Sequence, residues 1–169
     1  MRSIHSDVDS GALASRGAQI LGFGGVIPFW LALAVQFFEP AIGEEEARVA
    51  ERIVVLYALS IVSFMGGGRW VLRLQSPDAK VGSQFGGLLM AVVPPLLAWL
   101  IAFLPETVNG NEFSPLMRLF LMALLLWFQY VQDDSHGAEP ISGYLRLRLM
   151  LTIGATLPLF AAVAVAPFF

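Results

Sequence analysis

Five apolar runs, each close to the roughly 20 residues that a helix needs to cross a bilayer's hydrocarbon core, leave this chain little choice of fold. They extend from Gln19 to Phe38, Ile53 to Leu74, Phe85 to Leu104, Leu116 to Gln132 and Leu145 to Val165. With 57% hydrophobic residues, 14% charged residues and a mean hydropathy of +0.72 over 169 residues, no water-soluble domain of this size could bury the apolar side chains without leaving large adhesive patches. The fold class is therefore all-α, an integral membrane bundle of five transmembrane helices. Lipid offers the backbone no hydrogen bonds, so each run is expected to stay helical through Pro28, Pro94, Pro95 and Pro158, which bend rather than break it.

Residues 1–18, with Arg2, Asp7, Asp9 and Arg16 among serines, read as a polar cytoplasmic tail rather than a cleaved leader, and residues 19–169 as a single transmembrane domain. The lysine and arginine bias sets the orientation. An inside N-terminus places Arg2, Arg16, Arg69, Arg73, Lys80, Arg146 and Arg148 on the cytoplasmic side and leaves Arg48, Arg52 and Arg118 outside, so the chain is expected N-in and C-out. The outer loops are acidic, carrying Glu39, Glu44, Glu45, Glu46, Glu51, Glu106 and Glu112. The Glu44-Glu45-Glu46 run is expected to be solvated loop charge rather than a cation site.

The net charge of -3 gives no basic surface for nucleic acid. No cysteine is present, and the histidines, His5 and His136, fall in the tail and a loop, so a thiolate site, a zinc triad of histidines and an intramembrane pair of haem ligands are all excluded. Gly66-Gly67-Gly68-Arg69 precedes a tryptophan inside a span, not a strand-to-helix turn, and is no phosphate loop. No metal, cofactor or catalytic set is expected.

The polar groups of interest gather on the cytoplasmic side. Three consecutive glycines, Gly66, Gly67 and Gly68, give up helix propensity of about 1 kcal/mol each, which implies either close helix packing against a bare backbone or a local opening toward a ligand. Gly82 and Gly86 form a small-xxx-small pair suited to packing. Beside the glycines, Arg69 and Arg73 lie four residues apart and repel unless an anion stands near them; Trp70 between them suits an interfacial belt. At the end of the fourth span Gln129, Gln132 and Asp133 share one face. Asp133 and Asp134 meet the negative end of the helix dipole and need a cation, for which Arg69 or Arg73 is the candidate. The short connection onward returns Tyr144, Arg146 and Arg148 to the same level. The candidate ligand-binding set is therefore Arg69, Trp70, Arg73, Gln129, Asp133, Tyr144, Arg146 and Arg148, with the arginines as simple interface anchors the alternative.

Leu21-Gly22-Phe23-Gly24-Gly25-Val26-Ile27-Pro28-Phe29, the segment Ser63 to Trp70, and Tyr144-Leu145-Arg146-Leu147-Arg148-Leu149 with Leu151-Thr152 resemble an uncharacterised multi-spanning family of bacterial proteins that includes the mitochondrial transmembrane protein sixty-nine. The resemblance covers essentially the whole chain after the tail. Many relatives carry histidine where this chain has Arg69, and glycine where it has Val71; a step that needs a titratable imidazole there is closed to this member. The resemblance implies the fold and a multi-pass location in the bacterial inner membrane, and brings no activity with it. Three readings follow: a non-catalytic packing or assembly partner of another membrane protein, a binder or carrier of an anionic lipid or small amphiphile at the arginine cluster, and a proton-coupled transporter or membrane enzyme using Asp133 or Asp134.

Overall fold

The structure, a computed structural model, describes residues 16–75, 81–105, 107–108, 111–135 and 143–165. They form five helices, α1 Arg16–Ile42, α2 Glu44–Leu74, α3 Val81–Phe103, α4 Pro115–Ser135 and α5 Tyr144–Val165. All five are long and apolar enough to cross a membrane. Within the α3–α4 connection, β1 (Thr107–Val108) pairs antiparallel with β2 (Asn111–Glu112). The prolines at 28, 40, 94, 95 and 158 all sit inside helices.

The helices outrun the apolar segments at their ends. Glu44, Glu45 and Glu46, expected on a loop, form the first turn of α2, where carboxylates are favoured by the helix dipole. The break between α1 and α2 is the single residue Gly43, at a φ of 96° that favours glycine. At 31 residues, α2 is about 46 Å long, more than the roughly 30 Å hydrocarbon core, so its polar turn has room outside. Arg48 pairs there with Glu44 at 2.5 Å. Glu51, also expected on an outer loop, instead lies within α2, buried, and accepts a hydrogen bond from Gln36 Nε2 of α1 at 2.6 Å.

Helix α2 packs on α1, α3 and α4, and α5 on α1 and α4; α3 also touches α4. The first, second, fourth and fifth helices thus close a ring, with α3 against its outside. Helices α1 and α5 run side by side in one direction: a Cβ on Gly22 would lie 2.8 Å from Leu151 Cδ1, and one on Gly154 3.2 Å from Val26 Cγ1. The core combines Phe29, Leu119, Met122 and Leu159 with fully buried Ala32, Ala58, Ala98, Ala123 and Ala162, small residues that let backbones approach in the absence of a hydrophobic drive between helices. Ile20, Ile27, Phe64, Phe85 and Trp99 face outward, as the surface of a protein bathed in hydrocarbon should.

Candidate functional site

Three helices bring charge together at one end of the ring. Arg69 lies five residues before the end of α2, Asp133 two before the end of α4, and Arg148 four beyond the start of α5, so all three stand about one turn inside the bundle end. Arg69 Nε meets Asp133 Oδ1 at 3.2 Å and Arg148 Nε meets Asp133 Oδ2 at 2.9 Å, with each side chain at least nine-tenths buried. The carboxylate at the negative end of α4 therefore has its cations, but two guanidinium groups share one carboxylate, so among the described side chains the buried cluster keeps an excess of positive charge. Arg69 also donates to Gln132 Oε1, whose Nε2 reaches the sulfur of Met90 at 3.6 Å.

Arg148 is the incompletely satisfied member. Its Nη1 donates to the thioether of Met65, a weak acceptor, and its Nη2 is buried with no hydrogen-bond partner. One turn deeper on the same face, the buried hydroxyl Oγ1 of Thr152 also has none. Unpaired buried polar atoms of this kind are costly. Both residues line a cavity of about 530 Å³ between α1, α2 and α5, within the usual range for small-molecule sites. Its wall is otherwise apolar apart from Tyr144, including Gly22, Val26 and Phe29 of α1, Ile61 and Met65 of α2, Leu126 of α4 and Leu147 and Ala155 of α5. From Ala18 to Phe29 along α1 the cavity runs about 16 Å.

Of the other residues expected here, Trp70 and Arg146 are exposed and stand apart from the cluster. Arg73 lays its side chain on α3, its Cδ 3.0 Å from where a Gly87 Cβ would be; the cation opposite Arg69 across Asp133 is Arg148. Gln129 ties α4 to α2, its Nε2 donating to the Val62 carbonyl at 2.9 Å, and its Oε1 is buried without a partner. The glycines divide. A Cβ on Gly66 would fall 2.5 Å from Pro95 Cγ and 2.6 Å from the Ala91 carbonyl, whereas Gly67, Gly68 and Gly86 face open space within this chain. Residues 1–15, Lys80 and His136, the surroundings of Gly82 and the side chain of Asp134 lie outside what the structure describes. Thr152 and Met65 were not among the expected site residues; the four-residue spacing of Arg148 and Thr152 is the signal that could have found the first. Among the described residues no group of three or more histidine, cysteine or carboxylate side chains could hold a metal.

A family model described as "Protein of unknown function (DUF3429)" matches residues 14–164. The chain belongs to that family. The matched stretch includes all three charged residues and every lining residue of the cavity, so in this DUF3429 member the site lies wholly inside the family's shared region. No curated protein and no solved structure matches the chain.

Proposed function

We propose that this protein binds an anionic amphiphile of the membrane, with the anionic group at Arg148 and Thr152 and the apolar part in the cavity between α1, α2 and α5. The observation that carries this reading is Arg148, whose Nη2 has no hydrogen-bond partner, among the lining residues of an otherwise apolar cavity. With Nε held by Asp133, Arg148 has only the weak acceptor Met65 at Nη1 and no acceptor at Nη2, and a guanidinium in that state is suited to carboxylate or phosphate oxygens. The excess positive charge of the cluster favours such an occupant, and basic pockets between helices on the cytoplasmic side are the expected form for anionic headgroups. The arginine bias and the resemblance to the family of the mitochondrial transmembrane protein sixty-nine support an N-in, C-out protein of a bacterial inner membrane, which sets the cluster in the cytoplasmic leaflet.

The test is native mass spectrometry of the protein released from its own membrane in mild detergent. A bound anionic species is expected in the wild type and in Arg146→Gln, and is expected to be lost in Arg148→Gln and depleted in Thr152→Val, which leaves the ion pairs intact. The same species retained in all four proteins would sink the reading. An assembly role remains the second reading, supported by Gly67 and Gly68, whose open faces leave room for another helix. Its signature in the same spectra is a stoichiometric protein partner with no small ligand.

A further inference from the structure

We infer that the occupant is a single-chain amphiphile with a compact anionic head, a carboxylate or a phosphate monoester, that enters sideways from the bilayer. This rests on the binding reading above and narrows it to one chemical class. The cavity is long and has its charge at one end. Arg148, Tyr144 and Thr152 supply its polar groups, and Ala155 of α5, which with Phe29 of α1 lines the other end, lies about 10 Å beyond Arg148 and about 4 Å beyond Thr152. Because α1 and α5 start together at the charged end, that end lies near the membrane surface and the apolar end near the midplane. An amphiphile in that leaflet has the same polarity and needs no inversion to enter.

Shape sets the number of chains. A volume of about 530 Å³ accommodates one acyl chain, not two. The donors left without partners, Arg148 Nη2 and the Thr152 hydroxyl, lie one turn apart on a single helix face, a spacing that suits the clustered oxygens of a small head. The way in is lateral: Leu21 and Phe64 line the cavity yet are 78% and 79% exposed, so α1 and α2 open the cavity toward surrounding lipid.

The experiment is equilibrium binding to the purified protein in nanodiscs of a zwitterionic lipid, with labelled palmitate and hexadecyl phosphate as probes and dioleoyl phosphatidate and inorganic phosphate as competitors. Saturable binding of both probes is expected, with little displacement by either competitor. Thr152→Val should weaken both probes by about tenfold, the loss of one hydrogen bond to a charged group. Ala155→Leu, which shortens the apolar end, should cost palmitate its affinity while hexanoate, too short to reach a residue about 10 Å beyond Arg148, binds as it does to the wild type; Ile61→Trp, narrowing the cavity from α2, provides the same reading if the first variant misfolds. Phosphatidate displacing palmitate as well as palmitate itself does, or a chain-length preference unmoved in both variants, overturns the inference. Phosphatidate binding that Arg148→Gln abolishes, with palmitate never bound, defeats the single-chain class alone and spares the binding reading. No anion binding to the wild type defeats both.

Discussion

Asp133 is the residue on which the charged end depends, because it is the shared partner of two buried guanidinium groups. Removing one partner of a buried pair leaves an uncompensated charge at a cost of about 3–5 kcal/mol. Asp133→Asn strands two such charges together, whereas Arg69→Gln or Arg148→Gln leaves the carboxylate one cation. Asp133→Asn is therefore expected to lower the thermal midpoint in detergent more than either arginine variant does. An equal loss in all three would mean that the arginines find other acceptors. Arg118 does comparable work at the opposite end for a different reason. It donates to the carbonyls of Ile101, Ala102 and Leu104 at 2.8–3.2 Å, groups that the end of α3 leaves without helical donors. Lysine lacks the fork to reach all of them, so Arg118→Lys should destabilise by roughly 1–3 kcal/mol, read in the same melting experiment. The sequence marks Arg118 only as an outer arginine; its role depends on where α3 stops, which no spacing within α4 reveals.

The glycine triplet shows how an element can be legible in kind and ambiguous in use. Its cost to helix propensity was evident from the letters, and so were the two explanations, but which glycine serves which end depends on the rotation of α2 against α3. Only Gly66 faces α3 closely, against Pro95 and the Ala91 carbonyl, and Gly67 and Gly68 look away. A methyl group at Gly66 must push α3 outward, with overpacking costs of about 1–3 kcal/mol. At Gly67 nothing stands in its way, and alanine recovers up to about 1 kcal/mol of propensity. Gly66→Ala is thus expected to lower the unfolding midpoint and Gly67→Ala to hold or raise it. The opposite order would place the α2–α3 contact on another face of α2. The same dependence on rotation explains the cation assignment: the sequence offers Arg69 or Arg73 to Asp133, and packing keeps Arg69, sends Arg73 to Gly87 and brings in Arg148 from α5.

Five spans could be counted from apolar length alone because hydrocarbon tolerates no other composition, whereas the helix ends could not, since a turn outside the core is free to be polar, as Glu44 to Glu46 are. A charge inside an apolar run is equally conspicuous, which is why Arg69, Asp133 and Arg148 were legible; the cavity was not, being the gap left when α1, α2 and α5 pack. Which leaflet that gap opens to follows from orientation, and the absence of cysteine makes orientation directly measurable. Single cysteines at Gln75, exposed just after α2, and at Thr107, exposed in the α3–α4 connection, lie at opposite ends of α3. If the arginine bias governs insertion, a membrane-impermeant maleimide added to intact bacterial cells will label Thr107→Cys at once and Gln75→Cys only after lysis. The reverse pattern would turn the bundle over and place Arg148 in the outer leaflet. The amphiphile would then have to be drawn from lipids facing away from the cytoplasm, although the geometry of its site would be unchanged.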